Sequence, residues 1–268
     1  AFTSLDQWIS GRRSGTDMKR VIGIVSEGPT DQMAIRTVID RLTGEKNIYR
    51  YIQPEQDARG EFGNGWKGVY RWCENNAELI PALFSQIMPR FDALIIHMDG
   101  DVSRKEKEVH CKCGSTECDH KDKTSPLDCI HVRNDRCPVQ LPCSDHEDSP
   151  ESYRAHLTSV IRKLVRSDDE NEQLIITIPC DSTDAWIVAA FDDLKDSNDA
   201  EMIIDPWSNI ISLKKEYHGI RVPGHKKSAS VYRRFMPQLS DNWDTVAEKC
   251  KSARVFTDSI QLLHDRTD

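Results

Sequence analysis

Residues 21–31 read Val-Ile-Gly-Ile-Val-Ser-Glu-Gly-Pro-Thr-Asp, and their reading decides the fold. Val21, Ile22, Ile24 and Val25 form an apolar, mostly β-branched run, which suits a buried strand. Glu27-Gly28-Pro29-Thr30-Asp31 breaks that run. A helix is expected next, with Thr30 as N-cap and Ala34, Val38 and Leu42 on one face at i, i+4 spacing. Gly44 is placed to end it. Strand, tight turn and helix make the first half of a βαβ unit.

Working outward, a short strand is expected over residues 48–52 and a helical stretch over 69–88. Between them lie Gly60, Gly63, Gly65 and Gly68, without the spacing of a phosphate-binding loop. Ala93 to Met98 reads as a second buried strand, ending at Asp99-Gly100-Asp101. Tyr153, Leu157, Val160, Ile161 and Leu164 fit an amphipathic helix. Residues 174–178 read as a strand, and Thr183 as the cap of a helix containing Ala185, Trp186, Val188 and Ala189. The chain after Asp196 reads as helix and loop, closing with a helix over 252–263. Strands alternating with helices imply an α/β fold with a mainly parallel sheet flanked by helices, and no internal repeat is present. Residues 1–17 are expected to form an arm and residues 18–268 one domain, interrupted by an insertion over 103–149.

In open α/β sheets, ligands gather at the carboxyl ends of the strands. Glu27 ends the first strand, and Asp99 and Asp101 end a later one. If those strands are parallel neighbours, the three carboxylates meet at one edge. An extended backbone would point Asp99 and Asp101 the same way, and Gly100 allows close backbone approach. Asp31 is expected to face the same pocket from a helix N-terminus, which is itself suited to phosphate. Hard divalent cations prefer such oxygen ligands, and a cation held there can activate water against a phosphodiester. Acidic residues at strand ends also serve as caps and turn formers, so the order of the motifs carries more than any one of them.

The pair of stretches 21–31 and 94–101 resembles the Toprim pattern, a glutamate after the first strand and Asp-x-Asp after a later one. Toprim domains occur in topoisomerases, primases, small nucleases and overcoming-lysogenisation-defect nucleases. The Glu-Gly-Pro-Thr-Asp version is most similar to compact Toprim-like proteins of bacterial defence loci, often found beside an ABC-type ATPase. Residues 179–189 and 252–263 add weaker likeness. The resemblance implies a Rossmann-like Toprim fold and a Mg2+- or Mn2+-dependent nuclease or nicking enzyme. It carries Glu27, Asp99 and Asp101 over as metal and catalytic residues, with Asp31 a fourth ligand. Some relatives place a lysine near the scissile phosphate, for which Lys226 and Lys227 are candidates by residue type. A solvated basic turn is the alternative. Asp181 and Asp184 could join the site, with helix capping the favoured role.

Six of the nine cysteines fall between Cys111 and Cys143, in a polar segment with no helical or strand period. Cys111, Cys113, Cys118, His120, Cys129, His131, Cys137 and Cys143 supply eight candidates for tetrahedral Zn2+, enough for two ions or for one with spares. His110 and His146 flank them. A structural zinc would order a segment that has little apolar core. Cys73, Cys180 and Cys250 are scattered in regular elements and read as packing residues.

The formal charge of −8 disfavours a protein that coats DNA on its own, because tight binding rests on phosphate neutralisation. A partner ATPase delivering nucleic acid, DNA rather than RNA, fits better. No apolar stretch approaches the roughly 18–20 residues of a membrane span, and the first residues lack a secretory core, so a cytoplasmic protein is expected. Self-association is left open. Two other functions fit the same residues: a metal-dependent phosphohydrolase or nucleotidyltransferase acting on nucleotides, or a non-catalytic zinc-containing interaction module. Phosphoaspartate phosphatases also use Asp-x-Asp, but on the first strand.

Overall fold

In the computed structural model, the described residues are 19–54, 64–103, 149–167, 171–194, 199–212, 216–223 and 227–265. The elements run β1 (Val21–Val25), α1 (Pro29–Thr43), β2 (Ile48–Gln53), α2 (Trp66–Asn76), α3 (Ile80–Ser85) and β3 (Ala93–His97). A 3-10 turn follows at Gly100–Ser103. Next come α4 (Pro150–Val165), β4 (Leu174–Thr177), α5 (Thr183–Phe191), α6 (Asp199–Met202) and α7 (Pro206–Ser212). A small hairpin, β5 (Glu216–Tyr217) and β6 (Ile220–Arg221), precedes α8 (Ala229–Asp241), α9 (Trp243–Lys249) and α10 (Lys251–Asp265).

β1 and β3 are buried at all five positions each, as interior strands covered on both faces require. The sheet is parallel, in the order β2-β1-β3-β4. One face packs Ile22, Ile24, Ala93, Ile95 and Ile175 against α1, α5 and α8–α10. The other packs Val21, Val25, Leu94 and Ile96 against α2, α3 and α4. The fold is therefore α/β, a four-stranded parallel sheet between two helical layers, as in Rossmann-like proteins.

The β1–β3 pairing is pinned at both ends. At the bottom, Val21 N–H donates to Asp92 Oδ2 at 2.7 Å and Asp92 N–H to the Val21 carbonyl at 2.8 Å. Gly23 sits beneath the Phe91 ring, which would lie 2.5 Å from an added Cβ, so only glycine lets the ring close that end. At the top, Asp99 N–H donates to Glu27 Oε1 at 2.7 Å.

Three local expectations are corrected. The N-cap of α1 is Gly28 rather than Thr30, because Pro29 takes the first helical turn, where its missing N–H loses no bond. Gly44 does end the helix, in the left-handed conformation at φ 69°. The stretch expected as one helix over 69–88 is two, broken before α3, where Pro81 starts a new turn. Thr183 is the first residue of α5, and its cap is Ser182.

Candidate metal centre

The sheet runs outward from β1 in two directions, to β2 on one side and to β3 on the other. The crevice between the carboxyl ends of β1 and β3 is thus the switch point where open α/β sheets hold ligands. Glu27 and Asp99 follow those two strand ends, and Asp31 enters from the first turn of α1. Asp31, Asp99 and the buried His97 each offer one ligand atom, all within 4.8 Å of one another.

Backbone bonds hold the surrounding loops. Gly100 N–H donates to the Pro179 carbonyl at 2.8 Å, and Asp101 N–H to the Asp181 carbonyl at 2.9 Å. A Cβ on Gly100 would lie 2.8 Å from Cys180 Sγ and 2.9 Å from the Pro179 carbonyl oxygen, so this approach demands glycine. Gly65 N–H donates to the Glu27 carbonyl at 2.9 Å, which ties the start of α2 to the end of β1. Thr183 links two acids: its hydroxyl donates to Asp31 Oδ1 at 2.6 Å and its N–H to Asp99 Oδ1 at 3.4 Å.

Asp101 differs from expectation in one respect. The strand stops at His97 and Asp101 lies in the 3-10 turn, so strand alternation does not orient it with Asp99. It still acts on the site through its charge. Burial, then the charges of Asp99, Asp101 and Asp31, hold the Glu27 carboxyl well above the usual carboxylate range, against the hydrogen bond from Asp99 N–H. Burial pushes Asp99 up to about 7; Asp31 and Asp101 push the same way and His97 opposes them. Burial and neighbouring acids raise both Glu27 and Asp99, which describes a site rich in negative charge.

Lys227 and Asp184 meet beside this cluster. The ammonium pairs with Asp184 Oδ2, and Tyr232 OH donates to Asp184 Oδ1. Lys227 Nζ also lies 5.8 Å from the centre of the Trp207 ring. Burial lifts Asp184 to about 6, with Lys227 opposing. Burial alone would lower the Lys227 ammonium, but Asp184 outweighs it, with Asp99 and Asp31 adding, and the net shift is upward. The solvated basic turn is therefore not what forms at Lys227, while Lys226 lies outside the described residues. Nor is capping the role of the two later aspartates. The α5 N-cap receives no side-chain cap bond; Asp184 is buried against Lys227, and Asp181 Oδ2 accepts from Asp205 N–H at 3.2 Å.

His97 is the residue that sequence reasoning passed over. It is fully buried, and its Nε2 lies 3.4 Å from Asp99 Oδ1 without the alignment of a hydrogen bond. Burial favours the neutral ring, but the Asp99 contact and the charges of Asp31 and Asp99 outweigh it and raise its pKa. A histidine closing an otherwise apolar strand, two positions before an aspartate, was the available signal. The donor set of buried carboxylates around an imidazole fits a divalent cation.

The eight zinc candidates, from Cys111 to Cys143, lie outside the described residues. Cys73, Cys180 and Cys250 are buried and form no disulfide, in keeping with packing roles. Among the described residues no helix is long and apolar enough to cross a membrane. Compared with protein-family models, curated proteins and solved structures, the chain matches none.

Proposed function

We propose that this protein is a metal-dependent nuclease or nicking enzyme of Toprim type, acting on nucleic-acid phosphodiesters. The observation that carries the reading is the grouping of Asp31, His97 and Asp99 beside Glu27 at the β1–β3 switch point. Asp99 and Asp31 would hold a Mg2+ or Mn2+ ion, with Glu27 and Asp101 beside them. When bound, such an ion supplies Lewis-acid activation of water and of a phosphoryl oxygen.

The chain's own groups supply the rest. Thr183 fixes the Asp31 and Asp99 carboxylates relative to each other. Lys227, whose raised pKa keeps it charged, offers an ammonium to a phosphate oxygen next to the acids. Glu27, whose Oε1 accepts from Asp99 N–H at this edge, would take a proton from water in its ionised form.

A groove of about 720 Å³ supports a polyanionic substrate. It runs along β4 between α4 and α10, and Arg154, Arg162, Lys163 and Arg166 line it. Its lining includes Ile178, just past the carboxyl end of β4. On an acidic chain, a local basic track reconciles net charge with nucleic-acid contact. A defence role alongside an ABC-type ATPase, and a zinc-held segment over 103–149, belong to the same proposal.

The test is nicking of supercoiled plasmid in Mg2+ or Mn2+. Glu27→Gln is the informative variant, since its amide oxygen can still accept from Asp99 N–H while the charge is gone. Loss of nicking with folding intact supports the reading. Undiminished nicking in Glu27→Gln and Asp99→Asn would refute it, and metal-dependent nucleotide turnover without nicking would favour the phosphohydrolase instead.

A further inference from the structure

His97 is buried at 0 % exposure; its Nδ1 has no hydrogen-bond partner, and its Nε2 faces Asp99. An imidazole left this way inside a protein is costly unless something uses its lone pair. Its strand position sets the direction: His97 has the parity of Ala93 and Ile95, which lie on the α1 face, and Asp31 enters from the first turn of α1. Nε2 lies 3.4 Å from Asp99 Oδ1, and a ring nitrogen, an Asp31 oxygen and an Asp99 oxygen fall within 4.8 Å of one another. Ligands about 2.0–2.2 Å from a transition ion stand roughly 3 Å apart as neighbours and about 4.4 Å apart at most. The three atoms are close to that spread without rearrangement of the backbone.

We infer that His97 is a direct ligand of the ion held by Asp31 and Asp99, and that the site consequently selects a first-row transition dication such as Mn2+ over Mg2+ or Ca2+. The inference rests on the carboxylate metal site proposed above and adds to it the class of ion. Carboxylates alone accept Mg2+ and Ca2+ readily, whereas an imidazole nitrogen favours the softer transition ions. The position of His97 beneath Asp99 also explains why a polar side chain closes a strand that is otherwise apolar.

The deciding measurement is made on the native full-length protein, stripped with EDTA and reloaded with substoichiometric Mn2+. Pulsed EPR should show 14N modulation from a directly bound imidazole, and isothermal titration should give Mn2+ binding at least about tenfold tighter than Mg2+. In His97→Gln the 14N signal should vanish and the preference collapse, with Mg2+ binding retained. Because His97 is fully buried, Asp99→Asn serves as a second variant that keeps the ring: there Mn2+ affinity and the 14N signal should fall together. Mn2+ bound without 14N modulation in the native protein overturns the role of His97 and leaves the carboxylate site standing. So does a 14N signal that survives undiminished in both variants. Absence of any Mn2+ or Mg2+ binding overturns the carboxylate site and this inference with it.

Discussion

Asp99→Asn should make the metal-free protein more stable, and only above acidic pH. Asp99 titrates at about 7 against an ordinary 3.8, because burial and then Asp31 and Asp101 disfavour its anion. Below pH 3.8 the carboxyl is protonated in folded and unfolded chains alike and exacts nothing. As pH rises, the unfolded chain releases a proton that the folded one keeps, so stability falls until about pH 7 and is then flat. At 1.36 kcal/mol per pKa unit the full effect is about 4 kcal/mol. That is a ceiling, because the side chain is 15 % exposed and an amide is a poorer acceptor for Thr183 N–H. A net gain of about 1–3 kcal/mol is expected at pH 8, or roughly 3–10 °C in Tm for a chain of this size. At pH 4 most of the gain should disappear. Differential scanning calorimetry in EDTA at the two pH values measures it. Saturating Mn2+ should reverse the order at pH 8, since the wild type gains about 2.7 kcal/mol at a hundred times Kd. An Asn variant no more stable than wild type at pH 8, or equally stabilised at pH 4, would refute the idea of uncompensated charge.

Lys227→Met strands the buried Asp184 carboxylate. Breaking a buried pair costs about 3–5 kcal/mol, but Lys227 is 43 % exposed, so chemical denaturation should show a loss of about 1–2 kcal/mol, and less again in combination with Asp184→Asn. Gly100→Ala drives a methyl into Cys180 and the Pro179 carbonyl; thermal melts should fall by an amount equivalent to about 1–3 kcal/mol, with Mn2+ affinity falling too. Lys163→Glu and Arg166→Glu, in the groove beside β4, should weaken single-stranded DNA binding in fluorescence anisotropy and reduce the salt dependence by about one unit each, with Mn2+ affinity unchanged.

The parts legible in sequence are those decided by local chemistry. β1 and β3 are interior parallel strands, so they read as unbroken apolar runs, and the acids that end them are marked by the break in pattern. Pro29 and Pro81 carried signals for their helix starts that outranked Thr30 and the longer apolar period. What was not legible depends on contacts across the chain. Thr183 looks like a cap from its neighbours alone, but its hydroxyl partner, Asp31, is 152 residues away. The same holds for Asp184, whose partners Lys227 and Tyr232 come from the far end of the sequence, 48 residues on in the case of Tyr232. His97 was hidden for a different reason: a histidine at a strand end is unremarkable until it is found fully buried, with Nδ1 unpartnered and Nε2 against Asp99.

The two kinds of aspartate at this sheet edge differ in what meets their charge. Asp184 is as buried as any acid near the site, and although burial still lifts it to about 6, Lys227, Tyr232 and Ser182 all address its carboxylate. Around Glu27, Asp31, Asp99 and Asp101 the bonds do something else. Gly65 to Glu27, Gly100 to Pro179 and Asp101 to Asp181 join backbone to backbone and thus hold loops in place while leaving side-chain charge untouched. Each of Glu27 and Asp31 spends one oxygen on a neighbour, the Asp99 N–H and the Thr183 hydroxyl respectively. Neither donor is a cation. A protein optimised only for stability would replace such a cluster with neutral or paired residues. A frame that fixes the acids so firmly, with burial and neighbouring charge raising the carboxyl pKa values at Glu27 and Asp99, is the arrangement the proposed metal site would use.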